Sequence, residues 1–231
     1  MKSISRTTLA VALGAALGAQ SVSAQVTEPF DPFDVSQGDP ASPAVQVTTP
    51  GGTDSNTRND APSAGITRQL TVHLNSGLGV RAYVSGGFYH YSQDSGSTSA
   101  NGTIDWTIPA ASCLDWNDVT GLRLVIRNDH PVPISVSVNG ASVTQNLAAS
   151  FNFRDVDFAV GGNSCVTAVR LHIDGATTPD LDLDLDTIAI LRTPIVPVPA
   201  VSTTGLGLAM LGIPLAAAGL ARRRRNRVEK G

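Results

Sequence analysis

Three aspartates alternate with leucines near the end of the chain, in the run Leu181–Thr187. Alternate residues of a β-strand face the same side of a sheet, and carboxylate oxygens are ligands that Ca²⁺ prefers. Asp182, Asp184 and Asp186 therefore form a candidate calcium site. Neighbouring positions on one strand face are about 7 Å apart, which is too far for three carboxylates to chelate one ion tightly. We therefore favour the alternative, a solvated polar strand face.

Aromatic residues form the second group of candidates, because they could bind a sugar by stacking of its apolar face on an aromatic ring. Tyr89 and Tyr91 have the same parity in a glycine-flanked predicted strand, with His90 between them. We select Tyr89, Tyr91 and Trp106 as candidate ligand-binding residues. Packing in the core is the alternative for each ring, since the chain has few aromatics. The other candidates considered are Tyr83, Phe88 and Trp116.

The four histidines show no spacing typical of a metal or catalytic site. None belongs to an H-x-x-x-H or C-x-x-C pattern, and the chain has no G-x-S-x-G elbow, P-loop or dinucleotide fingerprint. We therefore expect no enzyme activity and no cofactor apart from the calcium hypothesis. Catalytic triads can assemble from distant positions, so a secreted hydrolase stays as a remote alternative. The histidines are His73, His90, His130 and His172.

The chain contains two cysteines, Cys113 and Cys165. An isolated pair in an exported protein is typical of a disulfide, because the compartment is oxidising. A reactive thiol is the alternative, but no neighbouring base supports it.

The N-terminus has the three parts of a secretory signal peptide. Lys2 and Arg6 precede an uncharged, Leu- and Ala-rich run over 7–19, and small residues follow up to Ala24. We expect residues 1–24 to form the signal helix and to be cleaved after Ala24, leaving Gln25 first. A buried N-terminal helix is the alternative. The signal implies a secretion translocon and a signal peptidase as partners.

The C-terminus has the layout of a membrane anchor. A proline-containing linker covers 194–200, an uncharged run covers 201–221, and a basic tail covers 222–231. The uncharged run is long enough to cross a bilayer as a helix, and the basic tail would stay in the cytoplasm by the positive-inside rule. A buried core helix or a nucleic-acid patch are the alternatives. The basic cluster contains Arg222, Arg223, Arg224, Arg225 and Arg227.

This tail resembles the PEP-CTERM class of sorting signals. Its start, Val196-Pro197-Val198-Pro199-Ala200, is similar to the IPTL-CTERM or VPLPA-CTERM variants and lacks the Glu of the Pro-Glu-Pro form. The resemblance implies that an exosortase-type transpeptidase removes the helix after a transient stay in the inner membrane. It also implies that the protein reaches the cell surface or extracellular matrix of a Gram-negative bacterium.

The mature region between the two signals is strongly acidic. Residues 25–200 contain eight Arg and no Lys against eighteen Asp and Glu, so the formal net charge is 8 − 18 = −10. Such a charge disfavours nucleic acid as a partner. The length is that of one domain.

Period-two alternation predicts a β-rich domain over 66–193, after an irregular segment with the first strands over 25–65. The alternating runs are 122–127 and 169–174. Asn139-Gly140 favours a type I′ turn, which pairs Val138 with Ala141 and Val136 with Val143. In the final strand, the leucines are odd-numbered but Ile188 and Ile190 are even-numbered. Either a bulge near 186–187 shifts the phase, or the second half is buried on both faces.

Short strands with glycine-rich turns predict an all-β, antiparallel sandwich. The segments 65–70, 169–175 and 180–188 resemble parts of domains common in PEP-CTERM proteins. That resemblance implies a jelly roll similar to galactose-binding and carbohydrate-binding modules. Modules of this kind often carry a structural calcium between their first and last strands, which would add Asp31 and Asp34 to the ligand set.

We therefore predict an exported, structural and non-catalytic surface or matrix protein. The alternative is a carbohydrate-binding module that adheres to exopolysaccharide. Exposed aromatics clustered on one sheet would favour the alternative, whereas featureless faces would favour the structural role.

Overall fold

The computed structural model describes residues 25–37 and 44–193, which form fifteen strands and two 3-10 helices, Ala110–Ser112 and Gly175–Thr177. Among these residues, none lies in a helix long and apolar enough to cross a membrane. The strands are β1 (Val26–Asp31), β2 (Val45–Val47), β3 (Thr53–Asn59), β4 (Thr67–Ser76), β5 (Val80–Ser85), β6 (Phe88–Gln93), β7 (Ser99–Thr107), β8 (Leu114–Trp116), β9 (Val119–Asn128), β10 (Val132–Val138), β11 (Ala141–Leu147), β12 (Ser150–Phe158), β13 (Asn163–Val166), β14 (Ala168–Ile173) and β15 (Asp182–Arg192).

Several predictions made from the termini concern residues outside this range. These are the signal peptide over 1–24 with Ala24, the sorting motif Val196–Ala200, the helix over 201–221 and the tail with Arg222–Arg225. Gln25, the expected first residue after cleavage, is exposed just before β1.

The strands form two main antiparallel sheets. Sheet 1 has the order β12-β9-β15-β6-β5-β2, with β1 also paired to β15. Sheet 2 has the order β11-β10-β14-β7-β4-β3, and β8 pairs with β13 in a separate small sheet. In the central strands, side chains between the sheets alternate with outward-facing ones, as in β4, where Arg68, Leu70, Val72 and Leu74 are buried. The predicted antiparallel β-sandwich is confirmed.

The predicted hairpin register is confirmed. In β10 and β11, Val138 lies opposite Ala141 and Val136 opposite Val143. Asn139 and Gly140 have φ values of 48° and 87°, the left-handed backbone that a type I′ turn requires at both central positions. The Asn139 side chain also donates to the carbonyl of Cys165 and accepts from the amide of Ala168, which attaches the turn to its neighbours.

The final strand combines both of the alternatives left open by its pattern. The register between β15 and β9 shifts between Leu185 and Thr187, which is the predicted bulge. The four residues Ile188–Leu191 are then buried in succession, so the second half of the strand no longer alternates. The bulge explains why apolar residues change from odd to even positions.

A buried ion pair joins the two sheets. Arg68 occupies an inward position of β4 in sheet 2, and its Nη1 donates to both oxygens of Asp31, at 3.0 and 2.9 Å. Asp31 ends β1 in sheet 1 and also accepts from the Trp106 indole at 2.8 Å. Arg68 Nε donates to Gln37 at 2.9 Å, and its Nη2 donates to the carbonyl of Val35. Both charged side chains are almost completely inaccessible, at 0% and 1%.

This pair shows that the assignment of Asp31 as a calcium ligand is wrong. β1 does lie beside β15, as the calcium hypothesis required. Asp31, however, points into the core, where three donors already satisfy its carboxylate.

The predicted disulfide between Cys113 and Cys165 is confirmed, with a Cα–Cα distance of 5.0 Å and a sequence separation of 52. It connects the residue before β8 with β13, and β8 and β13 are the two paired strands of the small sheet. In the chain-entropy account, closing a loop of this length stabilises the fold by about 4 kcal/mol.

Removing the Asp31 carboxylate should destabilise the domain strongly, because it leaves the Arg68 charge buried without a partner. We expect Asp31→Ala to lower the free energy of unfolding by about 3–5 kcal/mol, measured by urea denaturation. Asp34→Ala is the matched control, since Asp34 is exposed three residues away and should change stability by less than about 0.5 kcal/mol. Equal effects of the two substitutions would contradict the role of the ion pair.

Reduction of the Cys113–Cys165 bond should lower the free energy of unfolding by about 4 kcal/mol. The measurement is urea denaturation with and without a thiol reductant. A variant carrying both Cys113→Ser and Cys165→Ser is the control and should match the reduced wild type while showing no response to reductant. A wild type indifferent to reductant would refute the expectation.

Candidate functional site

The aromatics selected from the sequence do not form an exposed surface. Tyr89, Tyr91 and Trp106 are 0%, 1% and 1% exposed, so their assignment as an exposed ligand-binding platform is wrong. Burial raises the pKa of both tyrosines above the ordinary value. Tyr91 touches the wall of the groove described below, but its hydroxyl accepts from Gln93 inside the sandwich.

A glycine on the facing sheet explains why these tyrosines point inward. A Cβ atom at Gly102 in β7 would lie 2.8 Å from the Tyr91 ring and 3.4 Å from the Tyr89 hydroxyl. The absence of a side chain there opens space for two large rings in the core. Phe88 and His90 consequently take the outward positions of β6.

The outward face of sheet 1 carries a row of side chains that crosses successive strands. Tyr83 in β5 lies opposite His90 in β6, and His90 lies opposite Asp184 in β15. Asp184 in turn lies opposite Arg127 in β9. Phe153 in β12 completes the row, with the Arg127 guanidinium 4.9 Å from the centre of its ring. The row therefore spans five neighbouring strands.

Asp184 is the centre of this row. Its Oδ1 atom lies 2.5 Å from His90 Nδ1, and its Oδ2 atom accepts from Arg127 Nε at 2.7 Å. Because an ionised carboxylate only accepts, Nδ1 of His90 carries the hydrogen. Burial alone would raise the pKa of Asp184, but the hydrogen bonds from His90 and Arg127 hold it below the usual range. The carboxylate is therefore ionised at neutral pH and fixes both neighbours.

Aromatic rings flank this polar row on both sides. Tyr83 stacks on His90 with ring centres 4.7 Å apart, and Phe88 stacks on Phe153 at 5.6 Å. At the far side, Phe151 is 79% exposed and Phe153 is 37% exposed, among the few large apolar side chains at the surface of the described residues. Exposed rings of this size need an explanation, because burial of aromatics stabilises a fold.

The row from Tyr83 to Arg127, together with neighbouring residues, lines a depression of about 440 Å³ on the outward face of sheet 1, here called the outer groove. A second row, with Arg81, Ser92 and Asp182 on three adjacent strands, runs parallel to the first. The groove combines ring faces, hydroxyls, guanidinium donors and carboxylate acceptors, which are the groups that bind a polyhydroxylated ligand. The other lining residues are Asn128, Asp129, Ser150 and Phe151.

The predicted calcium ligands do not converge. Asp184 is already bound to His90 and Arg127, Asp182 is exposed in the outer groove, and Asp34 is exposed elsewhere. Within residues 25–37 and 44–193, no three His, Cys, Asp or Glu side chains lie close enough to hold a metal ion. The set Asp31, Asp34, Asp182, Asp184 and Asp186 therefore does not fit calcium, and the alternative of a polar strand face describes the three β15 residues better.

The paired His90 and Asp184 do not form a catalytic triad with a serine. In the described part of the chain, His90 has no hydrogen bond from a serine or cysteine, and both cysteines are in the disulfide. Thr53 and Thr103 contact other histidines, His73 and His172, on the opposite sheet and without an aspartate partner. No arrangement for nucleophilic catalysis is found among these residues.

Sequence reasoning missed Phe151 and Phe153 as surface residues. A signal was present, because these two phenylalanines are odd-numbered whereas Val156 and Phe158 later in the same strand are even-numbered. Successive residues of a strand face opposite sides of the sheet, so the two phenylalanines face solvent, whereas Val156 and Phe158 lie opposite the buried Leu124 and Leu122 of β9.

Comparison with known proteins does not assign the chain to a family. No protein-family model matches it, and no curated protein matches it significantly. Solved structures resemble it only distantly. A mutant of a family 29 carbohydrate-binding module has 13% identity and a TM-score of 0.37, with 61% of this chain and 92% of that chain covered.

Two further structures have similar values. The module CsCBM6-3 from Clostridium stercorarium, in complex with cellobiose, has 15% identity and a TM-score of 0.34, covering 49% of this chain and 82% of that one. The protein PfGH50B has 13% identity and a TM-score of 0.38, covering 55% of this chain but only 23% of its own. With TM-scores this low, the similarities say nothing about what this chain binds.

Protonation of Asp184 should remove the stabilisation that its two hydrogen bonds provide. Because its pKa is lowered in the folded state, this stabilisation is complete above the unfolded value of about 4 and declines as pH falls through the native pKa. We expect Asp184→Asn to lower the free energy of unfolding by about 1 kcal/mol at pH 7, a difference that shrinks on acidification to about pH 2. Urea denaturation across this pH range measures it.

Asp182→Asn is the control, since the exposed Asp182 side chain has no hydrogen bond or ion pair among the described residues. It should change stability little at any pH. A deficit of Asp184→Asn that stayed constant with pH would contradict the assignment.

Proposed function

We propose that this domain is a non-catalytic carbohydrate-binding module and that the outer groove is its binding site. The observation that carries the proposal is the position of Phe151, a ring that is 79% exposed and lines a polar groove crossing five strands, with the exposed ring of Phe153 next to the groove on the same strand. Ring faces supply the apolar contact for a sugar, and the charged and hydroxyl groups between them supply the hydrogen bonds that orient it.

The groove is preorganised for binding. Asp184 holds His90 and Arg127 in fixed positions through hydrogen bonds of 2.5 and 2.7 Å, while Tyr83 and Phe153 pack against those same two side chains. Little rotamer freedom therefore remains to be lost when a ligand binds, and this reduces the entropic cost of binding.

Among the described residues, no exposed aromatic side chain lies on the outward face of sheet 2. The outward residues of β4 and β7 are mainly Thr, Gln, His, Ser and Asn, and the hydroxyls of Thr53 and Thr103 bond to histidines on adjacent strands. Exposed aromatic rings and a groove therefore occur together on one sheet. This contrast favours a ligand-binding role over a purely structural one.

We also propose that the protein is exported and sorted to the cell surface or extracellular matrix. The signal-peptide pattern up to Ala24 and the PEP-CTERM-like tail from Val196 support this route, with a translocon, a signal peptidase and an exosortase-type transpeptidase as partners. The formed Cys113–Cys165 bond also supports it, because such bonds persist in oxidising compartments. At the surface, exopolysaccharide is the ligand that a domain of this kind would meet.

Binding should depend on the exposed ring of Phe151. The full chain, purified in a detergent without a sugar headgroup, is applied to a glycan array, and hits are measured by titration calorimetry. We expect saturable binding that Phe151→Ala weakens about tenfold. Leu78→Ala is the matched control, because Leu78 is 64% exposed and lies outside the groove, and it should leave the affinity unchanged.

An equal loss of glycan affinity in Phe151→Ala and Leu78→Ala would show that the ligand does not bind in the outer groove. No binding to any glycan by folded, disulfide-bonded protein would refute the carbohydrate-binding role and favour the structural one.

A further inference from the structure

One of the two arginines of the outer groove is paired with a carboxylate of the same groove. Arg127 is bound to Asp184, so it is not available as a free positive charge for a ligand. Further along the same face, Arg123 is bound to both Asp155 and Asp157. In a guanidinium already paired with a carboxylate, part of the attraction for a second anion is cancelled.

The remaining charges of the groove do not favour an anion either. Arg81 is exposed without an ion pair among the described residues, but Asp182 lies on the same row, one strand beyond Ser92. Counting Arg81 and Arg127 against Asp129, Asp182 and Asp184, with His90 taken as neutral, the groove has a formal charge of 2 − 3 = −1. The surrounding mature region has a charge of −10.

The groove is also long compared with a single sugar ring. Its lining residues extend from Tyr83 on β5 to Phe151 on β12, and the backbones of these two strands are four strand spacings apart, which amounts to about 19 Å. A ligand that contacts the rings at both sides must therefore run across the strands, and a chain of several sugar residues is needed to do so.

We infer that the outer groove selects neutral glycan chains, bound across the strands of sheet 1, and discriminates against chains that carry uronate or sulfate. This inference rests on the proposed function and specifies its ligand class. The neutral hydroxyls of such a chain can bond to donors and acceptors that are already paired, because charged groups keep unused hydrogen-bonding capacity after forming one ion pair. A polyanion, in contrast, would meet a negative field in the groove and around it.

The test compares neutral polysaccharides with uronate-bearing and sulfated ones on the same full chain, at low salt and at about 0.15 M salt. Titration with neutral oligosaccharides of increasing length is included. We expect saturable binding to a neutral glycan, affinity that rises with chain length before it levels off, and less than about threefold change with salt, since no counterions are released on binding a neutral ligand.

A charge-reversal variant tests whether the groove's own charge causes the selectivity. Asp182→Lys changes the formal charge of the groove from −1 to +1 and should raise the ratio of anionic to neutral glycan affinity at least about tenfold at low salt. Asp34→Lys makes the same change in net charge at an exposed position outside the groove, and should leave that ratio near the wild-type value.

The outcomes separate this inference from the proposed function. Binding confined to anionic glycans, weakened strongly by salt, would overturn the inference and leave the carbohydrate-binding role in place. Equal ratios in Asp182→Lys and Asp34→Lys would show that groove charge does not cause the selectivity and would also overturn it. Failure to bind any glycan, neutral or anionic, would overturn the proposed function itself.

Discussion

The ion pair between Arg68 and Asp31 lies between the two sheets, so the first strand must stay close to sheet 2 for the buried charge to keep its partner. A guanidinium has five N–H donors, and this one finds Asp31, Gln37 and a backbone carbonyl inside the core. These partners belong to β1 and to the segment that follows it. The buried charge therefore holds the first strand and its connection against sheet 2.

A similar pattern of one carboxylate with several donors recurs on the outside of sheet 1, with a different consequence. Asp184 has 21% of its side chain exposed, so water screens its bonds to His90 and Arg127, and their contribution to stability is small. The main effect of these hydrogen bonds is to fix the conformations of the His90 and Arg127 side chains. Two long side chains are held in one geometry on a surface where they would otherwise be mobile, and neighbouring rings pack against them.

Most of the architecture could be predicted from local pattern. The turn at Asn139-Gly140 determined the register of β10 and β11 because only one backbone geometry suits that dipeptide between twisted strands. The change of phase in β15 indicated a bulge, which the structure contains. Tyr89 and Tyr91 were assigned to the wrong face, because parity along one strand shows which residues share a side but not which side faces the core.

The strand periodicity, the disulfide-forming pair, the acidic character of residues 25–200 and the antiparallel sandwich could be predicted from the sequence, because they follow from composition, from the period of the hydrophobic pattern and from there being only two cysteines. The assembly of the site depends on tertiary structure. Gly102 on the facing sheet leaves space in the core for the rings of Tyr89 and Tyr91, and the pairing of β12 with β9 places Phe153 beside Arg127. The row from Tyr83 to Phe153 joins strands that are far apart in sequence, and only the order of strands in sheet 1 makes them neighbours.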